Sequence, residues 1–191
     1  MTPVFAPAVL RTRIAELWLV PIQEVDADEL FALTATNREY LRLWLPWVDE
    51  TRELADSKAY VRNALELQRL GLRLDYTLRL RGRMIGTVAF HTLTRAHRNA
   101  VVGYWLAQEA TGHGYMTESV RCLLDLAFGE LELNRVEIRV AVDNKASQGI
   151  ADRLGFQSEG VLREAEWIYD HFVDLRVAAI LKAEWRGEEM V

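Results

Sequence analysis

The run from Gly103 to Glu118, GYWLAQEATGHGYMTE, limits what this chain can fold into more than any other segment. A strand-like apolar stretch gives way to glycines at 112 and 114, after which Met116, Val120, Leu123, Leu124 and Ala127 recur at helical spacing. A strand therefore feeds a helix through a loop whose glycines let the backbone turn sharply. Several N–H groups then face one point at the positive end of the helix dipole, which makes a phosphate cradle. The spacing is neither GxxxxGK[ST] nor GxGxxG, because Thr117 stands at the third glycine position. Two glycines alone also suit a plain turn, and these residues by themselves leave that reading open.

Around this unit the periodicity predicts a mixed architecture. Thr12 to Ile22 alternates polar and apolar residues and reads as a strand ended near Pro21. A helix is expected from about Asp26 to Thr36 with Leu30, Phe31 and Leu33 inward, then a short helix and turn in which Trp44 and Trp47 bracket Pro46. Leu54 to Leu70 reads as an amphipathic helix packed through Ala55, Ala59, Leu65 and Leu67 and stopped by Gly71. The period then becomes strand-like, with a tight turn at Arg81, Gly82 and Arg83. Asn99 to Ala107, RVEIRVAV (135 to 142) and two late segments supply further strands, and NKASQGIADRL (144 to 154) supplies a helix ending at Gly155. The sum is an α/β (α+β) fold with antiparallel pairs and one crossover helix, in a single domain over residues 1–191.

Composition closes off several function classes. Half of the 191 residues are hydrophobic and 27% are charged, which suits a globular chain. The net charge of -5 argues against a nucleic-acid partner. Met1 to Leu10 lacks the basic start of a secretory signal, and no stretch approaches the roughly 20 apolar residues that cross a bilayer, so no membrane association is expected. Cys122 is the single cysteine, so neither an internal disulfide nor a Cys-based zinc site can form, and a cytoplasmic location is expected. It falls on the inward stripe of its helix as a core residue, although cysteine nucleophiles exist. His91, His97 and His171 show no ligand spacing; they read as surface or loop residues, and no metal is expected.

The order of these segments resembles the GNAT N-acetyltransferase superfamily, in the branch of the ribosomal-protein N-terminal acetyltransferases RimJ and RimL. The matching stretches are LRLWLPWVDE (41 to 50), GYWLAQEATGHGYMTESV (103 to 120), NRVEIRV (134 to 140), VDNKASQGIADRLGF (142 to 156) and EGVLREAEWI (159 to 168), which cover most of the chain. The resemblance implies a GNAT-like domain whose mostly antiparallel sheet splays between two parallel strands and is flanked by helices. It implies acetyl-coenzyme A as acyl donor, with its pyrophosphate on the loop at Thr111, Gly112, His113, Gly114, Tyr115 and Met116. The pantetheine arm would follow Trp105, Leu106 and Ala107. Glu109 departs from the family's usual Gln or Arg, and His113 replaces a common lysine, which is expected to weaken phosphate attraction slightly.

The family's acid position falls on Ser147 and its base position on Glu166. Serine at a helix start is also a common cap, and Asn144 is either a turn residue or a coenzyme contact. Glu166 alternates with Trp167 on a late strand, so only one of them faces the cleft; Glu164 shares the face of Glu166 and is a rival base, with a water relay a third route. Trp44, Trp47 and Trp105 form either a wall of the acceptor site or core and dimer interface. An α-amine with pKa near 8 is easier to deprotonate than lysine near 10.4, a gap of about 3 kcal/mol. The expected acceptor is therefore a primary amine, foremost the N-terminal α-amine of a ribosomal or other protein, with polyamines and aminoglycosides as alternatives. A non-catalytic acyl-coenzyme A sensor is the rival of a different class. Homodimers are common among look-alikes.

Overall fold

The computed structural model describes residues 7–187. Most of the N-terminal run read as lacking a secretory start lies outside the described residues.

Among the described residues, eight strands form one sheet in the order β1-β2-β3-β4-β5-β6-β8-β7. They are β1 (Leu10–Arg11), β2 (Leu17–Pro21), β3 (Leu74–Leu80), β4 (Arg83–Thr94), β5 (Asn99–Leu106), β6 (Arg135–Ala141), β7 (Gln157–Ile168) and β8 (His171–Leu181). Every adjacent pair is antiparallel except β5 and β6, which are parallel and joined through the crossover helix α4 (Tyr115–Phe128). The other helices are α1 (Ala27–Thr36), α2 (Arg38–Arg42), α3 (Leu54–Arg69) and α5 (Lys145–Arg153). Among the described residues no helix is long and apolar enough to cross a membrane.

The expected stripe of α4 is the one that packs: Met116, Val120, Leu123, Leu124 and Ala127 are all buried, in a core shared with Phe90, Val102, Ile138 and Ile150. Burying a side chain of this size stabilises by about 1.5–3 kcal/mol, so this stripe fixes α4 against the sheet. Cys122 lies in the same core, and burial pushes its thiol pKa up to about 11. The β3–β4 turn also forms as expected, with Arg81 and Gly82 both at positive φ.

Two expectations are corrected. The alternating run from Thr12 to Ile22 is not one strand: the chain reverses near Glu16, at φ 66°, and Leu10 and Arg11 pair back onto Leu19 and Trp18. Helix α3 packs through Ser57, Val61 and Ala64, with Leu65 half-buried against the same cluster as expected, whereas Ala55 and Ala59 are exposed. Alanine is favourable anywhere in a helix, so it marks a buried face poorly. The 57, 61, 64 stripe is the one that meets Ile22, Ala27, Leu30 and Met84.

Candidate active site

The parallel pairing of β5 and β6 runs from Asn99↔Arg135 to Val102↔Ile138 and stops there. Beyond it, Gly103 to Leu106 stay paired with β4 but have no strand partner on the other side among the described residues, so the sheet is open along this stretch. The Ala107 amide donates to the Ile85 carbonyl at 2.8 Å. Strand amides alternate in direction, which turns the Leu106 N–H toward the open side.

Helix α5 begins beside this gap. The Asn144 side chain caps it by accepting from the Ser147 amide at 3.0 Å, so Asn144 and not Ser147 is the cap. The Ser147 hydroxyl instead lies 2.8 Å from the Tyr104 phenol, which reaches across the gap from β5. Burial pushes the Tyr104 pKa up to about 12, so the phenol stays protonated. Its position in the sequence, inside an apolar strand, carried no sign of this contact.

Two cavities meet here, one of about 490 Å³ and one of about 780 Å³, with Trp44, Leu45, Tyr104, Trp105, Asn144 and Ser147 in the walls of both. The smaller is lined by Leu106, Thr111, Gly112, Gly114, Tyr115 and Met116 among others, which brings most of the expected donor residues together. Gly112 and Gly114 sit at φ +80° and +78°, and a Cβ on either would meet nothing within 4 Å. The amides of Gly112, His113 and Gly114 find no acceptor among the described residues, and the first-turn amides of α4 have no carbonyl one turn back. Open space in front of free amides fits a diphosphate.

One of the expected donor residues stands elsewhere: Ala107 is buried and its amide is committed to β4. The His113 ring stacks on Tyr115 at 5.3 Å and is not in the cavity wall, so only its amide belongs to the loop's free donors. Sequence reasoning also missed two cations in that wall, Lys145 and Arg153; the Arg153 guanidinium donates to the Thr117 hydroxyl at 3.1 Å, beside the loop. They are the ends of a short helix, and nothing in their spacing distinguishes them from surface charges.

The larger cavity holds Glu166 together with Trp44, Trp47 and Trp105, and the Trp47 and Trp105 rings lie 6.1 Å apart. No hydrogen bond or ion pair forms at the Glu166 carboxyl among the described residues, and burial raises its pKa above the ordinary carboxylate value. Trp167 points away, exposed and packed edge-on against Phe172 at 4.7 Å. The expectation that Glu164 shares the face of Glu166 fails. Leu162 pairs with Leu175 and Glu166 with Val173, so β7 carries two extra residues in a bulge, with Glu164 exposed at φ 49° and its amide donating to Asp174.

His91 is exposed, as expected of a surface residue, but it stands in β4 and not on a loop, in the wall of the larger cavity and against Gly103. Loss of water and the neighbouring Arg73 charge hold its pKa below the ordinary imidazole value. Arg73 in turn grips Asp75 at 2.6 and 2.7 Å, and the Tyr60 phenol donates to the same carboxylate at 2.9 Å. This fully paired cluster forms a rigid part of the wall that the sequence did not reveal. Among the described residues no group of three or more His, Cys, Asp or Glu side chains could hold a metal ion.

Residues 16–157 match the acetyltransferase (GNAT) domain family. The chain is 32% identical over 169 residues to a putative ribosomal N-acetyltransferase, YdaF, of Bacillus subtilis, covering 88% of this chain and 92% of that one. It is 27% identical to the ribosomal-protein-serine acetyltransferase of Escherichia coli, over 85% of this chain and 91% of that protein. The structure superposes with a TM-score of 0.83 on the microcin C7 self-immunity acetyltransferase MccE in complex with acetyl-coenzyme A and AMP, at 25% identity over 88% of this chain and 93% of the other.

Proposed function

The chain belongs to the GNAT acetyltransferase family and is an N-acetyltransferase that uses acetyl-coenzyme A, and from that premise we propose that its acceptor is the N-terminal α-amine of a protein, ribosomal proteins first. The observation that carries this reading is the meeting of the two cavities at Trp105, Tyr104 and Ser147, with free amides in one and Glu166 in the other. The names of the relatives support the ribosomal class. Polyamines and aminoglycosides are the competing acceptors. We read residues 1–191 as one such domain acting in the cytoplasm, without a nucleic-acid partner.

Acetyl-coenzyme A supplies a thioester carbonyl that an amine can attack. The amides from Gly112 to Thr117 hold the diphosphate, with the Arg153 guanidinium beside them. The unpaired side of Gly103 to Leu106 orients the pantetheine arm like an added strand, and the Leu106 N–H receives the negative charge that grows on the carbonyl oxygen. Glu166 takes a proton from the amine; its raised pKa narrows the gap to an α-amine near 8. Ser147 gives its hydroxyl proton to the departing sulfur. Transfer is direct: the lone thiol, Cys122, is buried in the core and lines neither cavity.

Val161, Leu162, Trp167 and Phe172 expose apolar surface on β7 and β8 at the sheet edge, and we assign this patch to a homodimer contact. Light scattering checks the dimer, with a monomer as the refuting result. The acceptor is tested by supplying acetyl-coenzyme A with N-terminal peptides, polyamines and aminoglycosides, following thiol release and identifying products by mass spectrometry. Steady turnover on peptides is expected. Turnover confined to small amines refutes the acceptor, and coenzyme binding with no turnover on any amine makes the chain a sensor.

A further inference from the structure

Ser147 is the third residue into α5, where a serine usually returns its proton to a carbonyl of the preceding turn. No such bond forms here; among the described residues the only partner of its hydroxyl is the Tyr104 phenol at 2.8 Å. The phenol has a second, longer contact of 3.3 Å to the Ser147 carbonyl. Two proton arrangements are therefore available. If serine donates to the phenol oxygen, the phenol proton is left with the 3.3 Å contact, to a carbonyl that already serves the α5 ladder. If the phenol donates to serine, the stronger acid of the two makes the short bond, and the serine proton has no acceptor among the described residues.

The second arrangement is the better one, and from it we infer that Tyr104 is a positioning residue for the transfer: its phenol fixes the Ser147 hydroxyl so that the serine proton points into the junction of the two cavities. The inference rests on the reading of Ser147 as the donor to sulfur. Tyr104 itself loses no proton. A thiol with pKa near 8.5 holds its proton less tightly than a phenol near 12, so a relay ending in phenolate runs uphill. The serine proton that passes to sulfur is replaced by the proton the amine gave to Glu166, relayed through water in the larger cavity, so that Glu166, Ser147 and the phenol all end as they began.

The place of Tyr104 explains why a tyrosine is required. It stands one residue past Gly103 on the unpaired stretch of β5, so its side chain spans the gap that the missing β5–β6 pairing opens. A shorter hydroxyl on the same strand would not reach α5.

The test uses Tyr104→Phe, Ser147→Ala and the double variant of the full chain. Phe keeps the ring and removes one oxygen; thermal melting and calorimetric titration with coenzyme A report that fold and donor site survive. We expect Tyr104→Phe to lower kcat about 3- to 10-fold, the loss of one hydrogen bond, with both KM values and the coenzyme A affinity unchanged. The double variant is expected to be no slower than Ser147→Ala alone. In a crystal structure of Tyr104→Phe, Ser147 should occupy more than one rotamer. A slow Ser147→Ala beside a fully active Tyr104→Phe, or losses that multiply in the double variant, overturns the inference and leaves Ser147 as donor. A fully active Ser147→Ala overturns the Ser147 reading and this inference with it.

Discussion

The Tyr169 phenol donates to the Leu45 carbonyl at 2.6 Å, across 124 positions of sequence. It ties the β7–β8 turn, three residues beyond Glu166, to the segment that carries Trp44 and Trp47. The Arg42 guanidinium lies 3.9 Å from the Tyr169 ring centre and also pairs with Asp49, so the tie is braced from both sides.

Tyr169→Phe should cost about 1 kcal/mol, or about 3 °C in Tm for a domain of this size. Its larger effect should be on the acceptor. With the tryptophan segment untied from the Glu166 strand, KM for a peptide acceptor rises several-fold while the affinity for coenzyme A, measured by calorimetry, holds. Equal losses on both substrates would show that the tie supports the whole site rather than its acceptor side.

Burial without a partner raises the Glu166 pKa, and this fixes the sign of two pH effects. A carboxyl with a raised folded-state pKa contributes stability at low pH that is lost as pH rises through that pKa. Glu166→Gln should therefore melt close to the unmodified protein near pH 4 and above it near pH 7, while turnover collapses. The acid side of kcat/KM should carry two ionisations in the unmodified enzyme, that of the amine and that of a carboxyl above the usual carboxylate range, and only that of the amine in the variant. A melting difference that stays flat with pH would mean that the carboxyl is not desolvated.

Gly86 lies behind the stretch of β5 that lines both cavities. A Cβ there would stand 2.2 Å from the Trp105 carbonyl oxygen and 2.9 Å from the Leu106 Cα, so backbone must move to admit it. Gly86→Ala should destabilise by about 1–3 kcal/mol in urea unfolding and weaken both substrates together. A change confined to one substrate would place the displacement elsewhere.

What the sequence made legible was whatever depends on local chemistry. The glycine loop, the apolar stripe of α4 and the Arg81–Gly82 turn each follow from residues within one or two turns of each other, and the structure has them all. What it hid depends on chain meeting chain. The bulge between Leu162 and Glu166 carries no glycine or proline, so a period of two runs through it unbroken and misplaces Glu164. Tyr104 and Ser147 are 43 positions apart and meet only because the sheet opens between them. The Arg73–Asp75 pair is two residues apart in sequence, but its burial beside Tyr60 comes from α3, whose packed face was itself misread.

The last prediction separates backbone strain from ligand space. Gly112, Gly114 and Gly155 have nearly the same left-handed backbone, at φ +80°, +78° and +80°, and at none of them would a Cβ meet an atom within 4 Å. Alanine at any of the three should therefore cost a similar amount of stability, about 1 kcal/mol, from the left-handed conformation alone. The positions differ in what lies in front of them. Gly112 and Gly114 line the smaller cavity, whereas Gly155 ends α5 and lines neither. Calorimetry with coenzyme A should thus show weakened binding in Gly112→Ala and Gly114→Ala and unchanged binding in Gly155→Ala, at matched losses in Tm. Coenzyme affinity that is the same in all three variants would mean that the open space at the head of α4 does not receive the diphosphate.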